Sequence, residues 1–143
     1  MAYTIMGYVV RVLLCVLAIM CFYQGVFYVK GPKNRAIERM LKPETLDAPV
    51  LKILVPFLGI CYLNLGGFNL LAGLALRTNE ACYVAILSGL MFHFGSAIFR
   101  SLMDQPTADL YLEGVHRGTN VMQYVLGAIY VIIGVITRCL ELA

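Results

Sequence analysis

Apolar residues fill four long stretches of the chain, separated by three polar connections of unequal length. The stretches cover residues 5–29, 53–76, 81–103 and 121–140. As helices rising ~1.5 Å per residue, each is long enough to cross ~30 Å of hydrocarbon. The pattern predicts an all-α polytopic membrane protein, a single transmembrane domain over residues 1–143 folded as a four-transmembrane-helix bundle with a basic loop at 30–52. No basic segment precedes the first stretch, and it is longer than the apolar core of a signal peptide, so it reads as a permanent span.

Polar and small residues inside the spans say how the helices should meet. Apolar burial alone does not draw helices together in a bilayer, so close packing relies on small residues and on polar groups that bond across the contact. Gly59, Gly66 and Gly73 recur every seven residues in the second span, with Asn69 among them. Gly127 and Gly134 repeat the spacing in the fourth span beside Gln123 and Tyr130, and Gly7, Arg11, Cys15, Ala18 and Gly25 share one side of the first. In the third span Ala85, Gly89, His93, Ser96 and Arg100 follow steps of four, four, three and four, which define one helical face. His93 is therefore expected to point into the bundle, with Phe92 and Phe94 diverging from it.

Composition agrees with this pattern. Of 143 residues, 61% are hydrophobic and 13% charged, with a mean hydropathy of +0.82, beyond the range of ordinary soluble domains. Four spans place both termini on one side. Lys30, Lys33, Arg35, Arg39, Lys42, Lys52, Arg100 and Arg117 fall at the first and third connections, leaving only Arg11, Arg77 and Arg138 of the 11 basic residues for the opposite side. The positive-inside rule then puts those two connections in the cytosol or mitochondrial matrix and both termini on the translocated side. The mitochondrial inner membrane is placed ahead of the endoplasmic reticulum.

The first connection, with Ile37, Met40 and Leu41 on one face and Lys33, Arg35, Arg39 and Lys42 around it, reads either as a short basic helix lying at the headgroups or as a solvated loop. The third, with Leu110, Tyr111 and Leu112 as apolar contacts, is expected to turn back at the interface. Residues 77–80 are few enough to force the second and third spans into an antiparallel hairpin. Five cysteines show no CxxC spacing and mostly read as small apolar residues, although Cys82 and Cys139 both approach the translocated face, where a disulfide is an open alternative.

His93 carries the chemical question. A metal site would need several converging ligands, and His116 lies in a connection. Acid–base chemistry would want a carboxylate in the spans, whereas all eight acidic residues fall in connections or near a terminus. Two roles stay open: a neutral imidazole bonded to Asn64, Asn69, Gln123 or a backbone carbonyl, or a ligand contact in which His93, Asn69 and Gln123 bind a quinone, sterol or lipid. Arg100 and Arg11, nearer the span ends, are expected to snorkel to the interface. Dinucleotide, P-loop, metalloprotease and nucleophile-elbow motifs are missing from the sequence. A net charge of +3 beside a membrane gives no nucleic-acid face.

With "YLNLGGFNLLAGLAL" in the second span and "FHFGSAIFR" in the third, the layout resembles the small four-span DoxX-like proteins and the four-span scaffold of sterol-synthesis enzymes. That resemblance implies an assembly, scaffold or accessory role, in some members quinone-coupled oxidation, and it supplies no catalytic residues. The expectation is a non-catalytic accessory or structural subunit of a larger integral membrane complex, with membrane lipids and other integral subunits as partners and no required cofactor. The alternative is a small-molecule binding protein or oxidoreductase component with a quinone, sterol or lipid near His93.

Overall fold

The computed structural model describes residues 2–74, 79–102 and 109–141. Four long helices make up the bundle: α1 (Ala2–Val29), α3 (Pro49–Leu74), α4 (Asn79–Leu102) and α5 (Val115–Glu141), with a one-turn helix α2 (Arg35–Glu38) and a 3-10 turn (Pro43–Thr45) between α1 and α3. All four long helices have the length and apolar composition to cross a membrane, and the chain is an integral membrane protein. Their outer faces carry large apolar side chains such as Ile19, Ile53 and Met91, each about 70% exposed, as a helix surface solvated by lipid requires.

The elements start and stop where local chemistry dictates, and all four long helices begin before the apolar stretches do, α3 and α5 by the widest margins. Pro49 fits the first turn of α3, where its missing N–H costs nothing, so the helix begins four residues before Ile53. Val115 to Asn120 are mostly polar and mask the opening turns of α5 in a hydropathy reading. Positions 75–76 and 103 of the predicted spans lie outside the described residues. At the end of α1, Gly31 adopts φ +86° and its N–H bonds the Tyr28 carbonyl, a left-handed stop that suits glycine. Asn34 then joins two elements: its Oδ1 caps α2 by accepting from the Ala36 and Ile37 amides, while its Nδ2 donates to the Phe27 carbonyl at 2.9 Å.

The glycine faces predicted from the sequence are where the helices touch, except at Gly7, where a Cβ would meet nothing within 4 Å. A Cβ on Gly59 would stand 2.5 Å from the Val29 amide nitrogen, one on Gly66 3.0 Å from the Phe22 ring, and one on Gly73 2.6 Å from Cys15 Sγ. These three positions set α3 directly against α1, and Gly25 of α1 faces the Gly59 carbonyl in return. On the other side of the bundle Gly127 of α5 receives the Phe94 ring, and Gly89 of α4 receives Tyr130. Phe94 therefore meets a neighbouring helix, as does Phe92, whose ring lies 4.7 Å from that of Tyr62.

The first and third connections come together over one end of the bundle. Lys42 N–H donates to the Leu110 carbonyl and Leu112 N–H to the Met40 carbonyl, both at 2.9 Å, pairing Leu41 with Tyr111 as an antiparallel bridge. Ile37 and Leu41 are buried against Tyr28, Leu51 and Val55. The first connection is thus a cap folded onto the helix ends rather than a helix floating at the headgroups. It also confirms that the two connections share one side. Cys82 and Cys139 are both free thiols, the first buried in the core and the second exposed.

Candidate functional site

A column of polar and aromatic side chains runs along the bundle axis, and all three residues singled out in the sequence belong to it. Asn69, His93 and Gln123 are 0%, 1% and 5% exposed. His93 projects from the small-residue face of α4, and its Nδ1 donates to Gln123 Oε1 of α5 at 2.6 Å. A carbonyl oxygen only accepts, so Nδ1 carries a proton, and in the neutral ring Nε2 is then the nitrogen with the lone pair. Gln123 passes the connection on, its Nε2 donating to the Tyr62 hydroxyl of α3 at 3.2 Å.

Asn69 does not bond His93 directly. Its Nδ2 donates to the Tyr130 hydroxyl at 2.5 Å and approaches Cys21 Sγ at 4.0 Å, while the Tyr130 ring stacks on the His93 imidazole with centroids 5.7 Å apart. Tyr130 therefore links the two halves of the column, bonding α3 with its hydroxyl and covering α4 with its face. Above it, Tyr28, Tyr62, Phe92 and His93 follow one another with centroid separations of 5.4, 4.7 and 5.2 Å, spacings typical of favourable aromatic contacts.

Tyr62 and Tyr28 were not singled out from the sequence. A tyrosine in a span is ordinarily read as an interface aromatic, and only the register between helices shows that these two point inward. Asn64, named as a possible partner of His93, instead faces outward from α3, exposed, and bonds no described residue.

Chemically, the column fastens helices through hydrogen bonds and leaves little free space at its centre. The void touching His93, bounded by Cys21, Tyr62 and Leu126, holds about 10 Å³, the volume of a single water at most. A larger space of about 470 Å³ lies on the other side of Gln123 and Tyr62, with Gln24, Tyr28, Thr119 and Met122 among the residues that line it. Among the described residues no three His, Cys, Asp or Glu side chains converge as metal ligands would.

Arg100 occupies the upper end of the column. Its guanidinium lies 5.6 Å from the Tyr111 ring centroid under the cap, at the end of the bundle where the two connections meet. No protein-family model, curated protein or solved structure matches the chain.

Proposed function

We propose that this chain is a non-catalytic accessory or scaffold subunit of a larger integral membrane complex, joined to its partners by the outward face of α3. The observation that carries the reading is Asn64. It sits within about one turn of the middle of α3, exposed, with no bond to a described residue. Three residues on, Gly67 leaves open space where a Cβ would be. An amide in hydrocarbon is costly without a hydrogen-bond partner, and a neighbouring glycine permits close approach of another helix. The pair has the chemistry of a helix seam, and the seam needs a transmembrane helix from another protein to complete it.

Orientation belongs to the same proposal: the basic cap faces the cytosol or matrix, with the mitochondrial inner membrane placed ahead of the endoplasmic reticulum. The test is a photoactivatable residue at Asn64, compared with one at Ile19 on the lipid-facing side of α1. Protein adducts of defined mass at Asn64 and lipid adducts at Ile19 support the proposal. Lipid adducts alone at both positions overturn it.

One observation favours a second reading. The 470 Å³ space reaching Gln123 is large enough for part of a quinone, sterol or lipid, in contrast to the void at His93. Native mass spectrometry of mildly solubilised protein separates the two, because it reports a stoichiometric small ligand and attached subunits in the same spectrum.

A further inference from the structure

Under the cap, between α3 and α4, lies a cavity of about 350 Å³. Its walls are apolar side chains that include Ile37, Leu41, Val55 and Leu58, and its outer rim is formed by Phe57 and Phe99, 62% and 63% exposed on the lipid side. None of the described residues that line it is acidic. Tyr28, Ser96, Arg100 and Tyr111 are the groups in its wall with side-chain N–H or O–H donors.

Two of the three hydroxyls are engaged elsewhere. Ser96 Oγ donates to the Phe92 carbonyl at 2.5 Å, and the Tyr28 hydroxyl is directed at Met40 Sδ, 4.0 Å away. Arg100 is different: its Nη1 is buried and bonds no described residue. The Tyr111 face gives the guanidinium a cation–π contact but accepts no bond from that nitrogen. A permanently charged group with one buried nitrogen unpaired among the described residues, set in the wall of a mostly apolar chamber, is balanced by an oxyanion attached to an apolar chain.

We infer that this cavity binds one anionic phospholipid, its phosphate bonded to Arg100 and one acyl chain lying among Val55, Leu58 and Leu41. The source is the surrounding leaflet, since Phe57 and Phe99 open the chamber sideways to lipid. Arg100 lies in the last turn of α4, at the depth of headgroups rather than of chain ends. The basic cap on that face attracts the same class of lipid. The inference uses residues distinct from Asn64 and Gly67, so it stands or falls separately from the subunit proposal.

Protein reconstituted in phosphatidylcholine nanodiscs doped with phosphatidylglycerol, then released for native mass spectrometry, tests it. The wild type should retain one phosphatidylglycerol. Arg100→Gln should lower its occupancy about tenfold, the equivalent of one lost charge-assisted bond. Arg117→Gln, an exposed arginine on the same face, should leave occupancy unchanged. Ser96→Leu, which fills the cavity and keeps the charge, should also displace the lipid, and it decides the matter if the Arg100 variant does not fold. Equal retention of phosphatidylcholine, equal loss in the Arg100 and Arg117 variants, or retention of added fatty acid in place of phospholipid would each overturn the inference.

Discussion

His93 Nδ1 stands 2.6 Å from Gln123 Oε1, joining α4 to α5 near the middle of the bundle, and Gln123 carries the connection on to Tyr62 of α3. Three helices thus share one amide side chain. Hydrogen bonds between membrane helices average ~0.6 kcal/mol, so this relay is a fastening of modest strength whose loss is felt mainly through the group left behind.

His93→Leu leaves the Gln123 oxygen buried without a donor and should cost on the order of 1 kcal/mol. His93→Gln retains an amide donor at similar reach and should cost less. Pairing His93→Leu with Gln123→Leu removes both partners, so the double variant should be less destabilised than the sum of the single ones. Thermal unfolding in detergent by circular dichroism measures all four. Additive losses would show that the two side chains do not act as a pair.

Close approach of α1 and α3 predicts opposite outcomes at two glycines of one helix. Gly59→Ala drives a methyl group against the Val29 backbone, which cannot rotate away, and should cost about 1–3 kcal/mol. Gly67→Ala enters open space and should leave the isolated bundle as stable as before. Melting temperatures of the two purified variants check this, and a Gly59 variant matching the wild type would contradict the α1–α3 packing.

The bridge between connections can be tested chemically. Leu41 and Tyr111 form a pair flanked by hydrogen bonds, a position where the Cα atoms of opposed residues lie ~4.5 Å apart. Leu41→Cys combined with Tyr111→Cys, in a background without the native cysteines, should form an intramolecular disulfide on mild oxidation. Peptide mapping by mass spectrometry reads the crosslink. Its failure to form would mean that the two connections do not meet over the same end.

Asp47 supplies a pH dependence on the exposed side of the cap. A bond from Lys33 at 2.7 Å and the charge of that lysine, with Lys52 adding to it at 3.8 Å, hold the carboxyl below its ordinary value of 3.8. A lowered folded-state value means that the contribution to stability is present above the ordinary value and lost as pH falls through the lowered one. Wild type should therefore melt slightly above Asp47→Asn at neutral pH, with the gap closing in strong acid and shrinking in high salt. A gap that widens on acidification would reverse the sign of this linkage.

How much of this was legible in the sequence depended on whether a feature leaves a periodic trace. Gly59, Gly66 and Gly73 do, because a seven-residue spacing of glycine puts all three on one face, and the structure finds α1 there. His93 was placed inward by its small neighbours, and Gln123 was among its named partners. Tyr62 and Tyr130 gave no comparable trace as members of one column, since their places in it depend on the relative register of three helices. The Leu41–Tyr111 bridge is made by backbone groups, which every residue except proline has in full, so no side-chain pattern announces it. Asn64 and Asn69 were both possible partners of His93, yet five residues along a helix turn the two onto different faces.

The same bridge imposes an order on biosynthesis. Leu41 leaves the ribosome well before Tyr111, and at ordinary rates of about 5–20 residues per second it waits several seconds for its partner strand. During that interval Ile37 and Leu41 lack part of the cover they have in the finished fold, and the chamber beside Arg100 is still missing the wall supplied by Leu110 and Tyr111. The first hairpin thus enters the bilayer as an unfinished half, sealed only when the third connection arrives.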